Sequence, residues 1–505
     1  MRFKLVITTL AALLVCGASY AEKVSNEETT KKEPLKEKTI ETMHTVDING
    51  QAVSYKAIAG TLVLKDEKDK EKDKGSFFYV AYIKEGEKDL SSRPITYCFN
   101  GGPGSAAIWL HLGAFGPRKV ELSDNQRISP PYNLEDNKYS ILDVTDLVFI
   151  DPISTGYSKP ATGEDPKQFH GVDEDIKSVA EFVRMFTTKF QRWESPKFIA
   201  GESYGTTRAV GLAAELHDEY FMYINGIVLV SSVLDFQTIG NVDNGNDLPY
   251  ILMLPTYSAA AFYQDKLDRD LQKNFQKTIR EAKDFAINEY SLALLKGDSL
   301  DREERDRMIA KLHYYTGLPK AYLDDANLRV GPFQFRKELL SNEKRIIGRF
   351  DSRYKGYMTN PLAEYATGDP SAEAVFGMFT ATFNHYIQSE LEWKESSRYS
   401  VLTNVFPWNF GKATNEYLNL SKSLSQVMSN NPQIHVMVAN GYYDLATPFF
   451  ATEYTFNHLN IDKSLRKNIT MTYYEAGHMM YIHQPSLVKL NDDIRVFIKS
   501  SLPKK

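Results

Sequence analysis

The segment from residue 198 to 219 constrains this chain more than any other. Phe198-Ile199-Ala200 is a short apolar run, Gly201-Glu202-Ser203-Tyr204-Gly205 follows, and an amphipathic stretch over 206–219 closes it. Locally this reads as a buried strand, a sharp turn and a helix. The flanking glycines leave room where Cβ atoms would collide, so Ser203 is lifted out of the turn at a helix N-terminus. The N–H groups there favour developing negative charge. A strand feeding a helix in this way belongs to a βαβ unit, and hence to a mostly parallel sheet covered on both faces.

The rest of the chain repeats this rhythm. Apolar strand patterns fall at 95–99, 147–150, 198–200, 227–230, 434–438 and 469–474, and helical patterns at 172–190, 206–219 and 485–500. Two earlier strands, 55–64 and 76–83, flank the run 65–74, in which every residue is charged. Such a run reads as a solvated hairpin loop. Residues 235–400 break the pattern and read as mainly helical, for example over 259–295 and 302–315. With 505 residues the chain exceeds what one core holds, roughly 250–300 residues. The expected organisation is therefore an α/β core in two parts, 46–234 and 401–505, with 235–400 inserted as a cap.

The N-terminus reads as an address. Arg2 and Lys4 precede an apolar run over 5–15, too short for the roughly 20 residues a membrane span needs. Ser19-Tyr20-Ala21 then supplies small residues for cleavage after Ala21. Residues 1–21 are expected to be a signal peptide of an exported protein, with no stable membrane insertion after its removal. Val15, bulky where a small residue is required, disfavours a lipoprotein signal at Cys16. Residues 22–45 are polar and charged, and read as a flexible arm. Of the two cysteines, only Cys98 survives that cut, so no internal disulfide is possible. The net charge of −5 offers no basic excess for nucleic acid.

A serine hydroxyl needs a base to become a nucleophile. Two later segments supply partners. The strand at 434–438 leads into Asn440-Gly441-Tyr442-Tyr443-Asp444, and that at 469–474 into Glu475-Ala476-Gly477-His478. Both follow strands, at the sheet edge where ligands of open α/β sheets bind. The chain order of nucleophile, acid and histidine is that of Ser203, Asp444 and His478. His483, with no strand directly before it, and His111, in the glycine-rich region, are weaker candidates for the base. Asn100-Gly101-Gly102-Pro103-Gly104-Ser105 directly follows the strand at 95–99. Its glycines let backbone N–H groups approach a ligand, so the Gly102 and Tyr204 N–H groups are the expected oxyanion hole. No Gly-Lys-Ser/Thr follows, which excludes a phosphate loop, and no His-Glu-x-x-His occurs, which argues against a zinc peptidase. The chemistry calls for no metal and no organic cofactor.

Together, Asn100–Gly104 (NGGPG), Gly201–Gly205 (GESYG), Asp444 and Gly477-His478-Met479 resemble the serine carboxypeptidase family, as does Asp151–Ser158 after a core strand. The resemblance runs from about residue 50 to 500 and is loose in the helical segment. It implies an α/β-hydrolase fold, peptide substrates, removal of the C-terminal residue through an acyl-enzyme, and a preference for acidic pH. It further implies that Asn100 and Glu202 hold the substrate's C-terminal carboxylate. Three positions depart from the family pattern: Cys98 stands in place of a tryptophan, Ala114 in place of a second glutamate, and Ser105 in place of a cysteine. An esterase or acyltransferase using the same three residues therefore stays open, as does a binding protein without activity.

Overall fold

A computed structural model of the chain describes residues 34–66, 68–122, 129–240, 245–363 and 368–502. The signal peptide expected over 1–21 and the first half of the arm expected over 22–45 lie outside the described residues.

Short runs buried at every position form the centre of one large sheet. Its main strands are β1 (Thr39–Ile48), β2 (Gln51–Lys65), β3 (Asp73–Lys84), β4 (Ile95–Phe99), β5 (Asp146–Asp151), β6 (Lys197–Glu202), β7 (Gly226–Val230), β8 (His435–Gly441) and β9 (Ile469–Tyr474). Their order across the sheet is β1-β2-β3-β5-β4-β6-β7-β8-β9, and the two-residue strand Lys159–Pro160 pairs with β3. β1, β2, β3 and β5 pair antiparallel in succession, and every pair from β5 to β9 is parallel.

The central strands feed both faces. In β7, Ile227 and Leu229 enter one core, with α1 (Val172–Lys189) and α2 (Tyr204–Tyr220) packed over it. Val228 and Val230 enter the opposite core. That face is covered by α6 (Pro370–Ser389) and by the C-terminal helix α9 (Gln484–Ser500). From Leu35 onward the chain is one compact unit.

Two sequence readings differ from the structure. The arm expected over 22–45 does not extend to residue 45, because Thr39–Ile48 is β1. Its residues pair over their whole length with Gln51–Gly60 of β2. Only Val46 and Ile48 are buried along it, so backbone pairing at a sheet edge, not an apolar pattern, orders it. The helix expected over 259–295 is broken into α3 (Leu248–Tyr263), α4 (Phe275–Phe285) and a π-turn continued by a short helix to Lys296. Asn274 caps α4 by accepting from Lys277 N at 3.0 Å, a new helix start.

The segment 235–400 is mainly helical but divides between two cores. α3, α4 and α5 (Arg302–Thr316) share a third core with Tyr443, Leu445 and Phe449, the last at the start of α8 (Phe449–Asn457). α6, by contrast, packs Val375, Met378, Phe379 and Phe383 against the sheet itself. Between α6 and α8 lies α7 (Ser421–Asn430), packed on the face of α1 and α2.

At the end of the sheet opposite the parallel strands' C-termini, a buried charge cluster ties β5 to its neighbours. Asp146 accepts from Arg93 Nε at 3.0 Å and pairs with Arg192, whose Nη2 also donates to Arg93 O at 2.9 Å. All three are buried. Asp146→Ala leaves two buried guanidinium groups uncompensated and should cost about 3–5 kcal/mol. Urea unfolding should show a lowered midpoint with an unchanged slope; an unaltered midpoint would mean that the cluster contributes nothing.

Candidate active site

β6 ends at Glu202 and α2 begins at Tyr204, so Ser203 alone makes the turn. It holds φ 60° and ψ −130°, a region costing about 1–3 kcal/mol for a residue with a Cβ. Surrounding bonds hold it there. Ser203 N donates to Val230 O at 3.0 Å, and Thr206 Oγ1 donates to Ser203 O at 2.7 Å. A Cβ on Gly201 would lie 2.1 Å from Gly205 O, which explains why glycine stands at that flank.

The loop after β4 packs against this turn backbone to backbone. A Cβ on Gly101 would sit 2.5 Å from Tyr204 N and 2.7 Å from Glu202 O. One turn into α2, Arg208 donates to Asn100 O at 2.6 Å and pairs with Asp175 of α1 at 2.7 Å. Both side chains are buried, so the Asn100–Gly101 peptide is held from below. Gly102 has φ 103°, a conformation open to glycine. Gly101, Gly102, Ser203 and Tyr204 all border one cavity of about 720 Å³.

His478 faces the same cavity, while Asp444 lies beneath it, fully buried. His478 Nδ1 is 2.7 Å from Asp444 Oδ2. A carboxylate only accepts, so Nδ1 carries the proton and Nε2 is left free to take one. Asp444 also accepts from Ala446 N at 2.7 Å, Thr447 N at 2.9 Å and Thr447 Oγ1 at 2.6 Å. Burial works to lower the His478 pKa, but the charge and hydrogen bond of Asp444, with a contribution from Glu202, raise it overall.

A turn of the helical segment holds the histidine loop. His478 N donates to Phe350 O at 2.6 Å, and the imidazole stacks on the Phe350 ring at 5.1 Å. Gly477 N donates to Asp351 Oδ2 at 3.1 Å. Arg353 pairs with Asp351 at 2.6 Å and donates to Glu475 O at 2.7 Å. A Cβ on Gly477 would lie 2.2 Å from Phe350 O.

Glu202 and Asn100 border the cavity next to Ser203. Glu202 Oε2 accepts from Tyr481 OH at 2.7 Å, and the Asn100 side chain also hydrogen bonds to it. Asn100 is fixed in turn by Leu110 N, which donates to its Oδ1 at 3.1 Å. Burial pushes the Glu202 pKa up to about 7, against the lowering effects of His478, Tyr481 and Asn100. This carboxyl is therefore already poised to hold a proton in the free site.

Of the remaining sequence candidates, only Ser105 borders the cavity. His483 starts α9, with Nδ1 2.8 Å from Ser486 Oγ. His111 is buried, 2.6 Å from Tyr82 OH, and burial lowers its pKa to about 3. Cys98 and Ala114 are packed in the core on the α6 and α9 face. Ser105 Oγ accepts from Trp109 Nε1 at 2.9 Å at the cavity wall. Sequence reasoning missed Tyr481, Arg208, Thr447 and the Phe350–Arg353 turn. Tyr481, three residues past His478, and Thr447, three past Asp444, carried a local signal; the others did not.

A parallel sheet with a strained serine after β6, an acid after β8 and a histidine after β9 is the arrangement of an α/β-hydrolase. Residues 49–488 match the serine carboxypeptidase family, and the chain belongs to that family. It is 30% identical over 153 residues to serine carboxypeptidase-like 20 of Arabidopsis thaliana, an alignment covering 29% of each chain. It is 33% identical over 131 residues to serine carboxypeptidase-like 44 of the same plant, covering 26% of this chain and 25% of the relative. The alignments thus span less than a third of either relative's length. In fold it is similar to Kex1(delta)p, a prohormone-processing carboxypeptidase from Saccharomyces cerevisiae. That match has a TM-score of 0.56 and 14% identity, and covers 88% of this chain and 91% of that one.

Asp351→Ala should release Gly477 N and Arg353 together and loosen His478. A displacement of this kind costs roughly 10–100-fold in turnover. Steady-state kinetics on any accepted acyl substrate should show the loss in kcat with KM little changed. A variant with wild-type kcat would remove the positioning role of this turn.

Proposed function

We propose that this protein is an exported serine-type carboxypeptidase that removes the C-terminal residue of peptides. The observation carrying this reading is that one cavity holds three things together. These are a serine on a strained turn, a histidine bonded to a buried aspartate, and a buried glutamic acid of raised pKa beside an asparagine amide.

Ser203 Oγ attacks the last peptide carbonyl while His478 Nε2 takes its proton. Asp444 keeps the imidazole in the reactive tautomer and stabilises the imidazolium. The Gly102 and Tyr204 N–H groups bind the carbonyl oxygen as it gains charge. The imidazolium then protonates the leaving amino group, the C–N bond breaks, and Ser203 carries the acyl group. Water, deprotonated by the same imidazole, releases the acid and restores the serine. The residues needed are all supplied by the chain, and no resident cofactor enters a step.

Glu202 and Asn100 recognise the substrate's C-terminal carboxylate. Two carboxyl groups in contact are stable only when they share a proton. Glu202 supplies that proton below about pH 7. Glu202 and His478 act on each other, since an ionised Glu202 raises His478 and an imidazolium lowers Glu202.

Ser203→Ala should lower kcat by at least about 10³-fold, since members of such a unit fail together. A blocked dipeptide and its ester, each at pH 5 and pH 8, provide the assay. Cys98 and Ala114 leave the carboxylate site with only Glu202 and Asn100, which favours an esterase or acyltransferase as the second reading. Rapid ester cleavage with negligible peptide cleavage at both pH values would decide for it.

The pH dependence follows from the sign of the Glu202 shift. Its pKa is raised to about 7, so the shared proton is present below that pH and is lost above it. The KM of a peptide with a free C-terminus should be flat in acid and rise above about pH 7. A C-terminally amidated peptide should show no such rise, and Glu202→Gln should flatten the free-acid curve. Parallel curves for acid and amide, unchanged by Glu202→Gln, would eliminate the shared-proton role and leave the serine chemistry standing.

A further inference from the structure

The hydrolytic steps leave one charge in the cavity wall unused. Among the described residues that border the cavity, Arg349 is the only lysine or arginine. It belongs to the turn that holds the histidine loop. Its backbone is fixed on both sides: Arg349 N donates to Asp369 Oδ1 at 3.0 Å, and Leu445 N donates to Arg349 O at 3.0 Å.

Its guanidinium is in a different position. It lies over the Phe350 ring at 5.5 Å and the Phe333 ring at 5.9 Å. Among the described residues no carboxylate lies within ion-pair distance of it, and no acceptor takes its N–H groups. The two acids whose fields reach it, Asp444 and Asp369, are already committed. Asp444 holds His478, Thr447 and Ala446. Asp369 Oδ1 accepts from Arg349 N, Ser371 N and Ser371 Oγ. Burial holds the Arg349 pKa below the usual guanidinium value, with Asp444 and Asp369 pulling the other way. A half-buried guanidinium with five donors and no bound acceptor is a cation set out for an anion that the protein does not itself supply.

Arg349 comes from a different part of the chain than the residues proposed for the substrate's terminal carboxylate. Glu202, Asn100 and Tyr481 come from β6, the loop after β4 and the turn before α9, whereas Arg349 approaches from the helical segment on the Phe350 side of His478. The walls nearby are apolar and aromatic, with Phe236, Phe350, Phe376 and Trp408 bordering the cavity. In such surroundings a planar guanidinium fork binds a carboxylate through paired, charge-assisted hydrogen bonds more strongly than it does in water. We propose that Arg349 is an anion-recognition residue of the substrate cleft, selecting peptides that carry an aspartate or glutamate side chain next to the scissile bond. The inference rests on the peptidase reading for its substrate class, but not for its readout.

The test separates binding from turnover. Ser203→Ala protein is titrated by calorimetry with four blocked dipeptides, carrying Glu or Gln at the last position and Glu or Gln at the penultimate one. At one of the two positions Glu should bind about 10–100-fold more tightly than Gln, the range of a charge-assisted pair. The preference should vanish in Ser203→Ala/Arg349→Gln and be partly kept in Ser203→Ala/Arg349→Lys. Thermal melts of each variant check that the fold persists. Equal binding of Glu and Gln at both positions, or a Glu preference that survives Arg349→Gln, overturns the proposal. The same four peptides are then given to the enzyme with Ser203 intact. If none is cleaved but the Arg349-dependent preference is present, the peptidase reading fails and this inference stands. If peptides are cleaved and Arg349→Gln lowers kcat/KM equally for Glu and Gln, while the acid limb of the pH profile moves upward, Arg349 only tunes His478 and the inference fails.

Discussion

Everything at this site depends on two stretches of backbone pressed together with no side chain between them. Gly101 stands so close to Tyr204 N, Glu202 O and Gly205 N that a single methyl group at Gly101 would overlap all three. This contact brings the loop after β4 to the start of α2, and both stretches border one cavity. Because peptide groups, not side chains, make the approach, the geometry is as rigid as the sheet that carries it. Arg208 extends the constraint downward by tying Asn100 O to Asp175 across two helices. The strain at Ser203 is tolerated because the strand before it and the helix after it are each locked into the central cores.

The helical segment 235–400 takes part in this rigidity. Its Phe350–Arg353 turn fixes His478 by a backbone bond, a ring stack and a bridged loop, and its α6 closes one face of the sheet. The segment thus supplies support for the base, a share of the main core and the cavity's spare cation. In that turn Arg349 lies over the Phe350 ring and Phe350 stacks on His478, so the residue proposed for specificity neighbours the one that holds the imidazole.

Much of this was legible in the sequence, for a physical reason. The features that place Ser203, Asp444 and His478 are local: an apolar strand, then a turn rich in glycine, then the reactive residue. Each is written within about ten residues, and β4 to β7 stand out as short apolar runs because both of their faces are buried. The parts that were not legible depend on contacts distant in sequence or on pairing without burial. β1 buries only Val46 and Ile48 and is otherwise exposed or half-buried, so it reads like the polar arm before it until its pairing with β2 is seen. The break between α3 and α4 falls in a stretch whose charged face still runs on in helical period. Nothing near residues 349–353 announces that they meet a loop more than a hundred residues later.

The covalent role of Ser203 is tested most directly by trapping the intermediate. The protein is mixed with an activated ester of a blocked amino acid, quenched in acid during the first turnovers, and digested for mass spectrometry. The acyl group should be found on the peptide containing Ser203, at close to one per chain, and should disappear from it as water resolves the ester. Acyl groups found on Ser105 instead, or turnover with no acylated serine at any quench time, would contradict the central claim that this serine is the nucleophile.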